Sequence, residues 1–133
     1  MQVTTRKKNL KSKSEAVLQR VRDRMLDKAD AVVLLLGDIV PVNTGAYAES
    51  MHINERGDTS GLVVSQHGRP RPSEEFKEAN AQLVREDMVD RLMTEVDAIE
   101  AIEEGFTVVN RTEHAYWVEV KVEPVFAQIR GVI

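Results

Sequence analysis

There is no cysteine among the 133 residues, which excludes disulfide staples and any thiolate metal or redox site. Aromatic residues are scarce, with one Trp, two Tyr and three Phe. A core must therefore be built from Val, Leu, Ile, Met and Ala, and a 42% share of hydrophobic residues suffices for one. Only 7 Gly and 4 Pro are present, which is unlike a disordered chain. The longest apolar run, Ala31 to Leu36, falls far short of the roughly 20 residues a membrane-spanning helix needs. Met1 to Leu10 is basic and polar and lacks the apolar stretch of a secretory signal. Also missing are a Gly-rich phosphate loop, a GxSxG elbow, an HExxH pair and an EF-hand loop. These absences leave a single soluble domain over residues 1–133 and point away from an enzyme, a cofactor or a membrane partner.

What is present is charge, and it is unevenly placed. The net charge is −4, from 18 Lys and Arg against 22 Asp and Glu. Residues 1–28 hold nine of the bases (Arg6, Lys7, Lys8, Lys11, Lys13, Arg20, Arg22, Arg24, Lys28) and three acids (Glu15, Asp23, Asp27), a net of +6. The remaining chain carries −10. A basic front on an acidic body attracts DNA or an acidic protein surface, including that of a sister copy. No aromatics interleave with these bases as a single-strand binder would want.

Residues 1–11 read as a flexible basic arm. Ser12 to Glu15 has capping-box spacing. Leu18, Val21, Met25, Ala29, Val32 and Leu36 then recur at three- and four-residue steps, which predicts a helix over 12–36 with one apolar stripe. Its end, Ala31 to Leu36, is apolar all round and is expected to be buried, with Gly37 and Pro41 as terminators. Pro41 to Gly45 has turn chemistry. Ala46 to Asn54 alternates and is followed by a turn at Glu55 to Asp58 and an apolar Leu62 to Val64, predicting a hairpin over 46–66. After a Pro-rich loop, Ser73 starts a second helix over 73–104, its apolar face made by Phe76, Ala79, Leu83, Val89, Leu92, Val96, Ile99 and Ile102, with Gly105 as terminator. Phe106 to Asn110 predicts a strand. Tyr116, Val118, Val120 and Val122 alternate with polar residues and favour another, although Glu113 to Glu119 also fits a helical turn; Val125 to Ile133 predicts a last strand. The expected class is α+β, an antiparallel sheet of about four to five strands packed against a long N-terminal helix and a second long helix, with C-terminal strands over 105–133.

Few residues suggest chemistry. His52, His67 and His114 are far apart in sequence, and only a fold joining them to Glu113 or Glu119 would make a metal or hydrolytic site. The acids of the second helix (Glu86, Asp87, Asp90, Glu95, Asp97, Glu100, Glu103, Glu104) fall mostly opposite its apolar stripe, where two carboxyls would not acquire different pKa values. Trp117, expected on the polar side of a strand, is a candidate interface anchor, as are Arg6, Lys7, Lys8, Lys11 and Lys13.

Two stretches resemble a known family. Val40-Pro-Val-Asn-Thr-Gly-Ala-Tyr-Ala-Glu-Ser-Met51 is similar to the P-V-D-T-G-x-L-x-x-S-(hydrophobic) segment of small tailed-phage proteins of the head–tail junction, which comprise tail-completion, neck and minor-tail proteins. Val108-Val-Asn-Arg-Thr-Glu-His-Ala-Tyr-Trp-Val-Glu119 is similar to their later Asn–Tyr–Val–Glu segment. The motif residues are Pro41, Asn43, Thr44, Gly45, Ser50, Asn110, Tyr116, Val118 and Glu119. Asn43 stands where Asp is usual, and His114-Ala115-Tyr116 reverses a Tyr-Ala order. The resemblance implies a structural virion protein assembled in the host cytoplasm. It implies a homo-oligomeric ring, about six or twelve copies, between portal or adaptor and tail proteins, with non-specific contact to the DNA in the channel. The alternative is a small nucleic-acid-binding module using the basic N-terminal segment.

Overall fold

The computed structural model describes residues 1–7, 14–42, 46–60, 78–112 and 115–133, of which 78–80 by backbone alone. In chain order they form strand β1 (Gln2–Thr4), helix α1 (Glu15–Ile39), a single helical turn α2 (Ala46–Glu49), strand β2 (Met51–Glu55), helix α3 (Glu78–Asp97), a 3-10 turn (Ile102–Glu104), strand β3 (Phe106–Asn110) and helices α4 (Ala115–Lys121) and α5 (Val125–Arg130). The class is mixed helix and sheet, with an antiparallel sheet and a long N-terminal helix as expected. The sheet has three strands rather than four or five, in the order β1-β3-β2.

The apolar stripe of α1 folds as its spacing predicts. Met25, Ala29, Val32, Val33 and Leu36 are buried, and the Ser14 hydroxyl accepts the Val17 amide at the N-terminus. Ser12 lies outside the described residues. Gly37 does not stop the helix. The chain continues to Ile39 and leaves it at Val40, because Pro41 is the first residue unable to supply a helical N–H. Gly37 instead lets α3 approach, since a Cβ there would come within 2.7 Å of Val89 Cγ2. The last turns are not buried all round, and Leu34 is 57% exposed.

Helix α3 runs antiparallel beside α1 and buries Met88, Leu92 and Val96. Leu83, expected inside, is exposed. The chain leaves the helix after Asp97 and re-forms a turn at Ile102, with Ile99 and Ile102 still buried. The carbonyl of Glu100, freed by this break, accepts Arg22 Nη1 at 2.8 Å, and the same nitrogen pairs with Glu103 at 3.0 Å. Residues 73–77 lie outside the described residues.

Four expectations are corrected. The first residues are not an arm but a strand. Gln2, Val3 and Thr4 pair with Val109, Val108 and Thr107. Ala46 to Glu49 is helical, not the start of a strand, and among the described residues β2 pairs with β3. The turn at Glu55 to Asp58 does form, with Gly57 at φ 82 and Asp58 N donating to Glu55 O. Residues 61–66 lie outside the described ones. Finally, the favoured strand over Tyr116 to Val122 is replaced by helix α4 (Ala115–Lys121), in line with the helical alternative for Glu113 to Glu119, and Val125–Arg130 is helix α5, not a strand. The reason is topological. β3 is already paired on both edges, by β1 and β2, so a strand following it has no place beside it. Ala115 and Val118, three apart, then bury one face of α4, and Val125, Phe126 and Ile129 one face of α5.

All five residues of β3 are buried, and its Val108 belongs to the core formed with α1, α3 and α5. No helix of the described residues is long and apolar enough to cross a membrane.

Candidate functional site

The two stretches that carry the family resemblance meet in space. α2 and β2 end the first; β3 and α4 make up most of the second. Asn110, 1% exposed at the end of β3, is the tie between them. Its side-chain Nδ2 donates to the Tyr47 carbonyl at 2.9 Å, and its Oδ1 accepts Thr112 N at 2.9 Å. Arg111 N donates to the Ser50 carbonyl at 3.0 Å, which extends the ladder past the strand ends. From α3, Arg91 reaches under the same junction. Nη2 donates to the Ala48 carbonyl (3.0 Å) and Nη1 to the Met51 carbonyl (2.7 Å), so one guanidinium satisfies two carbonyls at the α2–β2 bend.

Beside Arg91, the His52 ring meets Glu95. Nδ1 lies 2.7 Å from Glu95 Oε1, and Arg91 Nη1 lies 3.1 Å from Glu95 Oε2. Glu95 is thus no solvated acid but half-buried between two bases. His67, His114 and Glu113 are outside the described residues. Glu119 stands elsewhere, at the start of α5. Among the described residues no group of three or more His, Asp or Glu is placed to hold a metal ion.

Glu119 caps the next helix. Its carboxylate accepts the amides of Phe126 (2.8 Å) and Ala127 (2.9 Å), two of the N–H groups that α5 cannot satisfy internally. The neighbouring acid therefore has a structural partner. Pro41 is half-buried after α1, Ser50 half-buried at the α2–β2 bend, and Val118 buried. Asn43, Thr44 and Gly45 lie outside the described residues, as do Lys8, Lys11 and Lys13. Arg6 and Lys7 are exposed just beyond β1. Trp117 is half-buried and packs against the core, and the large hydrophobic side chains that α4 exposes are Tyr116 (41%) and Val120 (55%).

The Asp30 carboxyl is pushed above the usual carboxylate range by partial desolvation and then by Asp27 and Asp97.

Tyr47, within the first motif stretch, is a polar residue in the core. Its hydroxyl is buried and has no hydrogen-bond partner among the described residues. Burial, and then the charge of Glu119, hold the phenol well above its ordinary pKa. Tyr47→Phe removes a desolvated hydroxyl and is expected to leave stability unchanged or raise it by about 1 kcal/mol at neutral pH. At high pH the sign is also set. The unfolded chain releases the phenol proton near pH 10, whereas the folded chain keeps it, so the stability of the native protein falls as pH rises above about 10. Urea unfolding at about pH 8 and pH 11 should therefore show a larger loss for the wild type than for Tyr47→Phe; equal losses would contradict a neutral buried phenol.

No protein-family model, curated protein or solved structure matches this chain.

Proposed function

We propose that the chain is a structural component of the tailed-phage head–tail junction, a neck, tail-completion or tail-terminator protein forming a ring of about six or twelve copies between portal or adaptor and tail. One observation supports this above others. The two stretches resembling that family, whose Tyr47 and Asn110 lie 63 residues apart, interlock through backbone-directed bonds, so the similar residues belong to one structural unit, which supports the reading. Their polar groups are spent on holding backbone: Asn110 on α2, Glu119 on α5. A ring needs different, complementary faces on each copy. The basic front, the acidic body and the exposed Tyr116, Val120 and Val122 side chains offer surfaces for such contacts.

The nucleic-acid-binding alternative draws on the same front, yet Arg22 is engaged with Glu103 and the first strand is held in the sheet. The two separate by experiment. Native mass spectrometry of the purified chain should show a closed oligomer, and electron microscopy of phage particles carrying it should place it at the neck or tail end. Neutralising Lys7, Lys8, Lys11 and Lys13 should weaken assembly at low salt and matter less at high salt. Particles with no copy of the chain at the neck or tail, together with DNA affinity that falls steeply with salt, would sink the structural role and favour the alternative.

A further inference from the structure

β1 is an edge strand, and its hydrogen-bond phase is set by its partner. Met1 O accepts Asn110 N and Thr5 N donates to Phe106 O, so residues 1, 3 and 5 face β3. By the alternation of antiparallel ladders, the N–H and C=O groups of Gln2 and Thr4 face outward. Among the described residues nothing pairs with them. An unpaired strand edge is a template for another strand.

A cleft of about 640 Å³ runs along this strand. It is lined by Gln2 to Arg6, by Met25 and Lys28 of α1, and by Arg130 and Ile133 at the end of α5. Arg6, Lys28 and Arg130 bring three cations to it. No acidic side chain is among the described lining residues, and none of the three cations joins an ion pair among the described residues. Lys28 Nζ spends one donor on Ile133 O at 3.2 Å and keeps two.

We infer that this cleft is a docking groove for an extended acidic peptide segment of a partner protein, which adds to the outer edge of β1 as a fourth strand and sets its carboxylates against Arg6, Lys28 and Arg130. A peptide fits better than a nucleic acid for two reasons. The outward carbonyls of Gln2 and Thr4 need N–H donors at ladder spacing, which a phosphodiester chain lacks. The described lining residues also include no aromatic on which a base could stack. Strand addition sets the pattern as well. Alternate side chains of an added strand share a face about 7 Å apart, so acids at every second position meet the cations. Binding of the segment needs only a single copy of this chain.

The test uses the full chain, isotope-labelled, with the probe acetyl-Val-Glu-Val-Glu-Val-Glu-amide followed by NMR. Saturable shifts are expected at the Gln2 and Thr4 amides. The affinity should drop at least tenfold for a probe N-methylated on alternate residues along the edge facing β1, and at least tenfold for the variant Arg6→Gln/Lys28→Gln/Arg130→Gln. Those three side chains are at the surface, and an unchanged urea midpoint checks that the fold is kept. A probe with Lys in place of Glu should not bind. The groove is overturned if the N-methylated probe binds as well as the parent, if the Gln2 and Thr4 amides do not shift, or if a short DNA duplex shifts them while the peptide does not. A chain that forms rings but fails these tests loses the groove and keeps the structural role; a chain that passes them yet is missing from the neck and tail loses only the role.

Discussion

Gly105→Ala is expected to destabilise the protein by at least about 4 kcal/mol, a fall of roughly 15 °C in Tm. Gly105 joins the 3-10 turn to β3 at φ 113 and ψ −170, a region open only to glycine. A Cβ there would also overlap the Thr5 hydroxyl. That hydroxyl is not free to move away. It accepts the Phe106 amide at 2.9 Å inside the core, and the Thr5 backbone holds the end of β1 through Phe106 O and Arg56 Nε. The methyl group therefore strains the backbone, strips a buried amide of its acceptor and pushes β1 off the central strand. Gly57 separates these effects. It also has positive φ, at 82, but a Cβ there meets nothing within 4 Å among the described residues. Gly57→Ala should cost about 1 kcal/mol, the backbone part alone. Urea unfolding of both variants measures the difference; equal losses would show that the contact between Gly105 and Thr5 contributes nothing.

That contact also shows why parts of the fold were legible in the sequence and others were not. Long periodic signals survived. The stripe from Met25 to Leu36 describes the buried face of α1, and Gly105 followed by Phe-Thr-Val-Val-Asn marks β3. Short segments were decided by partners that sequence does not display. Gln2 to Thr4 is too brief to declare itself, and it becomes a strand because β3 offers an edge about a hundred residues later. Tyr116 to Val122 alternates well enough for a strand, yet both edges of β3 are taken and Glu119 is better placed capping α5. Ala46 to Glu49 looked like the start of a strand. Coiling it into one turn presents the carbonyls of Tyr47 and Ala48 to Asn110 and Arg91. In the candidate site, Asn110 and Glu119 were named from the motif. The roles of Arg91, Glu95 and Tyr47 were not legible, because they come from tertiary contacts rather than from spacing along the chain.

Asn110 offers the second large effect. Its side chain donates to one buried backbone group and accepts from another, at the point where the first motif stretch crosses the second. Asn110→Ala leaves the Tyr47 carbonyl and the Thr112 amide without these partners and opens a void beside Met51, whose sulfur lies 4.0 Å from the amide nitrogen. The expected loss is about 3 kcal/mol. Asn110→Asp tests the direction of each bond. An ionised carboxylate still accepts Thr112 N, but its other oxygen faces the Tyr47 carbonyl with no proton to offer, in a site where charge is desolvated. Its loss at neutral pH should match or exceed that of the alanine variant. Protonation restores a donor, so the folded state holds this carboxyl above the unfolded value of about 3.9. The stability of the Asp variant relative to wild type is thus greatest below about pH 4 and declines as pH rises through the folded pKa. Urea unfolding of the three proteins at about pH 4 and pH 7 reads this directly. A pH-independent gap between Asn110→Asp and the wild type would mean that the side chain does not donate to the Tyr47 carbonyl, and the tie between the two motif stretches would have to be sought in the backbone alone.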